Sequence, residues 1–329
     1  MPIEPKAKVR AMDMLRAYCN KAGIKYTNVD QETGLVVHIE KNGKHLVVTS
    51  KINYPLNSNA ANSTVRDKEW ASLHLKQHGY NVPKGCLFFV VDEYKNFKTT
   101  GRSLEAAIKY AEELGYPVFV KPNRGAMGKL AGLVHTDDEL KAHFEAIAKA
   151  DYAALVQEPI AIPEYRLFVL GDQVEFTYRK SRPEIIGDGA STIEALVDLY
   201  NKGRKKKIGE TDLFLQEQFT QFDLTWDTVL EQGICIGLSP NSNLNAGGKI
   251  VDYDESVRPV LNKWASDLIK VFGLEMAGVD VFGESLDNPE DLIVLEINGV
   301  PSLSSIYDGG HQDKVLDLWE KMLNRYFEG

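Results

Sequence analysis

The chain has 329 residues, 43% hydrophobic and 26% charged, which is ample for more than one core and ordinary for a soluble globular enzyme. A net charge of −9 argues against a general nucleic-acid binder, and no apolar run approaches the ~20 residues that span a bilayer. The start, Met-Pro-Ile-Glu-Pro-Lys, lacks a secretory layout, and Cys19, Cys86 and Cys235 are spaced like free thiols, so a cytoplasmic, multi-lobed α/β protein is expected, with no nucleic-acid or membrane partner.

Residues 6–22 read as an amphipathic helix with Val9, Met12, Leu15, Cys19 and Ala22 on one face. Strands over 35–39 and 45–49 flank Lys41-Asn42-Gly43-Lys44, whose Asn-Gly pair signals a hairpin. Residues 53–64, rich in Asn, Ser and Ala, read as a linker or loop. A helix over about 67–78 stops at Gly79, and a second over 103–114 ends at Gly115 and feeds a strand at 118–121. Thr136 with Glu139 makes a capping box for a helix through Lys149, and Ser191 with Glu194 repeats the device. Residues 155–160 read as a hinge strand between lobes, and 165–170 pairs with 174–179 around Gly171-Asp172. The last third alternates: helix 257–272, strand Met276–Phe282, strand 292–298 and helix 312–326. No internal repeat or low-complexity segment is present.

The most informative stretch is Asp280 together with Glu296-Ile297-Asn298. Side chains alternate across a strand, so Glu296 and Asn298 share a face, and Asp280 joins them if its strand is the neighbour. Three such oxygen donors suit Mg²⁺, which is held by a few carboxylates plus substrate phosphates. Three polar residues at solvent-facing strand ends are the bland alternative. Upstream, an apolar strand ends in Lys121 and enters Pro122-Asn123-Arg124-Gly125-Ala126-Met127-Gly128-Lys129, a basic loop whose glycines let the backbone approach phosphates. It is not a Walker A motif, because the glycine spacing is too short and Leu130 stands where Ser or Thr would hold the metal. Glu164 and Arg166 share a strand face, where a carboxylate could accept from a ribose and a guanidinium could reach phosphate. A surface charge pair is the competing reading.

Taken in order, Lys68, Val-Lys121-Pro, the Gly125–Gly128 loop, Glu164-x-Arg166, Gly187-Asp188-Gly189, Asn243-Leu-Asn-Ala-Gly-Gly248, Asp280 and Glu296-x-Asn298 make the chain resemble an ATP-grasp ligase. The subgroup it resembles is cyanophycin synthetase and the ligase domain of bifunctional glutathione synthetase. The match covers about 66–301, and the runs 179–189 and 241–248 are its most diagnostic pieces. The resemblance implies α/β lobes in an ATP-grasp fold, with ATP held between two lobes and a small N-terminal α/β lobe. Residues 1–65 would form that lobe, 66–156 the central lobe with the flap, and 157–329 the C-terminal lobe with the metal site.

It also implies roles for single residues. Lys68 and Lys121 would contact ATP phosphates, Lys121 also lying near the adenine, and Gly125 to Gly128 would form the flap. Glu158 and Ile160 would offer backbone groups to the adenine edge, and Glu164 would hold the ribose. Arg166 and Arg179 would steady the transferred phosphate, and Asp280, Glu296 and Asn298 would hold Mg²⁺ as two ions, with Mn²⁺ able to substitute. The implied reaction joins a small-molecule carboxylate to an amine, an amino acid or small peptide, through an acyl phosphate with release of ADP and phosphate. A homodimer is admitted. A carboxylase-type ATP-grasp enzyme and a non-catalytic nucleotide-binding module are the rival readings.

The chain departs from the family pattern at Ser239-Pro240, where an arginine is usual, at Gln157, where an acid is usual, and at Asn298-Gly299-Val300-Pro301-Ser302 on the substrate-side loop. Four other signals are read as structural. His74 and His78 have the spacing of a zinc pair but lack the glutamate of a His-Glu-x-x-His motif, and the run 204–207 reads as a solvated loop. Trp264 falls at core spacing with Leu261 and Leu268, while Cys86 and Cys235 lie in apolar strands as small hydrophobes.

Overall fold

The computed structural model describes residues 11–49, 55–91, 93, 101–125, 128–204, 207–209, 212–239, 242, 244 and 247–328. In chain order it begins with α1 (Ala11–Ala22), β1 (Lys25–Asn28), β2 (Val36–Lys41), β3 (Lys44–Thr49), α2 (Asn59–Arg66) and α3 (Lys68–Gln77). Next come β4 (Gly85–Phe89), α4 (Leu104–Leu114), β5 (Val118–Pro122), β6 (Gly132–Val134), α5 (Asp137–Ala148), β7 (Ala153–Gln157), β8 (Glu164–Leu170) and β9 (Gln173–Ser181). After β10 (Glu184–Ile186) come α6 (Ile193–Asn201), α7 (Leu213–Phe222), β11 (Cys235–Gly237), β12 (Lys249–Asp254) and α8 (Pro259–Lys270). The chain closes with β13 (Met276–Phe282), β14 (Ile293–Asn298), α9 (Ser304–Asp308) and α10 (Gln312–Glu328).

Contacts divide the chain into two units. Unit 1 is Met1–Pro83, Tyr165–Tyr178 and Asp252–Gly329, and unit 2 is Lys84–Glu164 and Arg179–Val251. Unit 1 holds the antiparallel sheet β1-β2-β3. Its hairpin turns at Asn42 and Gly43, whose φ values of 53° and 77° are the left-handed pair that a two-residue turn requires. Unit 1 also holds β13, β14 and most of the five-stranded sheet β12-β9-β8-β13-β14. One face of that sheet buries Leu167, Val169, Val279, Val281, Val294 and Ile297 against Val65, Leu75, Leu261, Trp264 and Leu268 of α2, α3 and α8. Each such side chain contributes roughly 1.5–3 kcal/mol on burial, so this core fixes the strands from which the opposite face projects.

Unit 2 holds the antiparallel sheet β4-β7-β5-β6, whose Val118, Val120 and Val156 pack with Ala107 and Ala111 of α4 and Leu140, Phe144 and Ile147 of α5. The two-stranded antiparallel sheet β10-β11 forms a second core there, with Ile185 and Ile236 against Ile193, Val197 and Leu215.

Several local expectations change. Residues 59–66, read as part of a linker, form α2, because Ser58 caps the Ala61 N–H and Ala61, Asn62 and Val65 share a buried face. The cap at α6 is Thr192, since Ser191 is drawn away to the Asp188 carboxylate. Thr136 caps α5 as expected, but Glu139 reaches back to the His135 N–H rather than to Thr136. The hinge strand ends at Gln157 as β7, an inner strand buried along its whole length. Cys235 is exposed, not packed, and residues 6–10 of the first helix lie outside the described residues.

Candidate functional site

The two strands that carry the acids are antiparallel neighbours. Asp280 stands opposite Glu296, and Gly278 opposite Asn298. The register shifts immediately after Asp280, where Val281 pairs with Val294 and Leu295 is left over as a bulge. The bulge lets Val294 and Ile297 both face the core while Glu296 and Asn298 keep to the other face with Asp280.

Asp280 is only 3% exposed, and Arg166 on the adjoining β8 holds it in a two-point grip, Nε to Oδ1 at 2.6 Å and Nη2 to Oδ2 at 2.7 Å. Burial opposes the Arg166 charge, yet Asp280 first, then Tyr178 and Glu296, outweigh it and push the guanidinium pKa up. Gly278 makes room for the grip, because a Cβ there would lie 2.5 Å from Arg166 Nη1 and 2.9 Å from Pro301 Cβ. Lys68, at the first turn of α3, reaches Glu296 Oε1 at 3.3 Å, and Asp67 caps that turn by accepting from the Trp70 N–H. Asn57 ties the far ends of the strand pair together. Its amide donates to the Met276 and Gly299 carbonyls at 2.8 and 2.7 Å and accepts from the Glu275 and Met276 N–H groups at 2.8 and 3.1 Å.

The corner therefore assembles Lys68, Arg166, Asp280 and Glu296, with Asn298 on the same face. Its donors fit a hard divalent cation. Two carboxylates and the neutral oxygen of Asn298 are the hard oxygen donors such an ion takes. Among the described residues no group of three His, Cys, Asp or Glu side chains could hold a metal, and this corner has two acids and an amide.

The remaining expected residues fall in unit 2. Lys121 is the penultimate residue of β5 and is 7% exposed. Contacts that hold the loop beyond it include Asn123 Nδ2 donating to Tyr152 Oη at 2.8 Å, the Arg124 N–H donating to the Asp151 carboxylate, and the Arg124 guanidinium 4.9 Å from the Tyr152 ring centre. Gly125 lies against Pro122, and Gly128 is exposed with φ 64°. Ala126 and Met127, the middle of the expected flap, lie outside the described residues, as do Pro240, Asn243, Asn245 and Ala246. Glu158 accepts from the Lys84 N–H at 2.8 Å, and Ile160 follows it half-buried. Glu164 accepts from Lys180 Nζ and from Ser242 Oγ, two partners the sequence did not single out, although Lys180 lies in the quoted run 179–189. Arg179 is half-buried on β9. Gly187 passes so close to the 230–231 backbone that a Cβ would lie 2.2 Å from the Glu231 carbonyl oxygen, which accounts for glycine in Gly187-Asp188-Gly189.

A family model described as D-ala D-ala ligase C-terminus matches residues 85–195. A bifunctional glutathione synthetase from Pasteurella multocida superposes with a TM-score of 0.55 at 19% identity, covering 93% of this chain and 44% of that one. The chain has the ATP-grasp fold. It is homologous to the glutathione biosynthesis bifunctional protein of Streptococcus mutans, 29% identical over 261 residues, 74% of this chain and 31% of that protein. Cyanophycin synthetase from Trichormus variabilis is 26% identical over 248 residues, 71% of this chain and 26% of that protein. The chain thus spans about a third or less of the length of these ATP-grasp relatives. Eight of the twelve expected site residues, from Lys121 to Arg179, fall within the matched segment 85–195. Among the described residues no helix is long and apolar enough to cross a membrane.

Proposed function

We propose that the chain is an ATP-dependent ligase that joins a small carboxylic acid to an amine, either an amino acid or a small peptide, as an amide. The observation that carries this reading is the acid corner. Like charges directly opposite on an antiparallel pair are destabilising, and here Asp280 faces Glu296. Two cations from separate elements, Arg166 and Lys68, are spent on holding them. A solvated surface would not need that arrangement, whereas a site that gathers anions and cations around a triphosphate would.

Asp280, Glu296 and Asn298 would hold Mg²⁺. When bound, a divalent cation there offsets charge on the phosphoryl oxygens. Lys68 and Lys121 would neutralise phosphates, Gly125 to Gly128 would cover them, Glu158 and Ile160 would present backbone groups to the adenine, and Glu164 would accept from the ribose. Asp280 takes two of the five N–H donors of Arg166, and the others, with Arg179, serve the transferred phosphoryl group. A substrate carboxylate oxygen attacks the terminal phosphorus, the bond to the bridging oxygen breaks, and ADP leaves. The amine nitrogen then attacks the acyl carbon, phosphate departs and the nitrogen loses its proton. Catalysis rests on positioning and charge, with no side-chain nucleophile. A division by role into lobes 1–65, 66–156 and 157–329, distinct from the two contact units, belongs to the same proposal, as does a cytoplasmic setting.

The test is which phosphate leaves. With a productive acid, ADP and inorganic phosphate appear without AMP, and hydroxylamine in place of the amine traps the acyl phosphate as a hydroxamate. AMP and pyrophosphate formed in step with the amide would end this reading.

A further inference from the structure

Among the motifs that the proposed reaction leaves without a task is the basic run 204–207. Lys205 and Lys206 lie outside the described residues and Lys207 is exposed, but Arg204 is half-buried rather than part of a solvated loop. Its guanidinium carbon lies 3.8 Å from the centre of the Tyr200 ring, and its Nε donates to the Tyr200 carbonyl at 2.9 Å. Its backbone N–H donates to the Asn201 carbonyl at 3.1 Å. Asn201 is buried at the end of α6 and closes the segment below, donating to and accepting from the Ile208 backbone at 2.7 and 2.9 Å. Arg204 is therefore stacked and tethered at its base, so much of the entropy cost of ordering a long side chain is met before any ligand arrives.

A glycine pair runs beside it. At Gly247, with φ 111°, a Cβ would lie 2.2 Å from Tyr200 Oη and 2.7 Å from Arg204 Nη1. At Gly248 it would lie 2.5 Å from the Ser242 carbonyl oxygen and 2.8 Å from that of Ser181. Ser181 Oγ is itself buried with no hydrogen-bond partner. Tyr200 occupies one of the five N–H donors of Arg204, and among the described residues no carboxylate pairs with the rest. A stacked guanidinium with its fork uncommitted matches a planar, two-oxygen anion.

We propose that Arg204 receives a substrate side-chain carboxylate that takes no part in bond formation, so that the preferred acid or amine, or the last residue of a peptide substrate, carries an acidic side chain. This rests on the ligase reading, in which Lys68, Lys121, Arg166 and Arg179 already serve the phosphates. The wild type, Arg204→Ala and Arg204→Lys are saturated with Mg²⁺ and a non-hydrolysable ATP analogue, then titrated calorimetrically with matched pairs. The pairs are L-glutamate with L-glutamine, L-aspartate with L-asparagine, and dipeptides ending in each. The wild type should bind at least one acidic member about tenfold more tightly than its amide twin. Arg204→Ala should cut that preference below about threefold, Arg204→Lys should keep part of it, and affinity for the ATP analogue should not change. If Arg204→Ala folds poorly, Tyr200→Leu removes the stacking platform and should weaken the same preference. A wild type without the preference, or an Arg204→Ala protein that retains it, overturns the proposal. So does a parallel loss of ATP-analogue affinity, which would assign the anion to the nucleotide. ADP release by the wild type is read separately, so the ligase reading and this one can fail independently.

Discussion

Unit 1 contains two buried charge clusters built on one sheet, and they are made differently. Glu175 on β9 is clamped by Lys314 at 3.0 Å and Lys321 at 2.6 Å, both from α10, with Asp317 and Glu255 at the margin. The Glu175 acid is outnumbered by flexible lysines from a single helix, and the cluster reads as a fastener that docks α10 on the sheet. In the Asp280–Glu296 corner the acids face each other, and the cations come from two elements, one of them a rigid guanidinium fork. The fastener neutralises a charge. The corner instead keeps two charges close that would otherwise repel, and the proposed metal site rests on that difference.

Four measurements break or sharpen the contrast, in order of expected stability loss. Arg166→Met leaves a buried Asp280 without its fork and should cost about 3–5 kcal/mol, read as a shift in urea midpoint at constant m. A loss below about 1 kcal/mol would make the corner no more than a surface pair. Glu175→Gln should cost about 1–3 kcal/mol while ADP formation per folded molecule stays unchanged, and an added drop in turnover would place Glu175 in the chemistry. Glu296→Gln removes a 3.3 Å pair whose acid is 30% exposed, so less than about 1 kcal/mol of stability should go, yet ADP formation should be abolished. Near-normal turnover at limiting Mg²⁺ would release Glu296 from its role. The smallest effect belongs to Asp188, an exposed acid held by N–H and hydroxyl donors. The Ser191 N–H, then the Ser191 hydroxyl and the Ala190 N–H, pull its pKa down to about 2. Because that lies below the ordinary ~4, its contribution is complete above pH 4 or so and fades as the pH falls toward about 2. Asp188→Asn should therefore lower Tm slightly at pH 7, and the gap to wild type should close on acidification. A gap that does not narrow contradicts the assigned turn.

Elements governed by local rules were legible in the sequence. The bounds of β13 match the expected Met276–Phe282, and the Asn42-Gly43 turn and the helix ending at Gly115 follow from backbone chemistry within a few residues. α2 was hidden because Asn, Ser and Ala resemble loop composition, and its helical face shows only against the sheet it packs on. The acids of the corner could be named from alternation on two strands. The Arg166 grip could not, because its partner is 114 residues away and either residue alone has a different plausible use. The Glu175 fastener, 139 residues from Lys314, left no local trace, and the bulge at Leu295 follows from pairing rather than from any residue type.

The Asn57 clamp has a consequence for the order in which the protein can be made. It joins residues 219 positions apart, and everything that completes unit 1 around it, Asp252 onward, is synthesised after the whole of unit 2. At ribosomal speeds, roughly ten to thirty seconds separate the emergence of Pro83 from that of Asp252. During that interval α2 and α3 have an apolar face and at most β8 and β9 of the sheet that covers it, while unit 2 already has its own strands and helices in hand. Nascent chains arrested near residue 251 should thus protect unit 2 from protease and leave the first eighty or so residues open to chaperones, which makes the N-terminal segment, rather than unit 2, the place where biogenesis of this protein is most vulnerable.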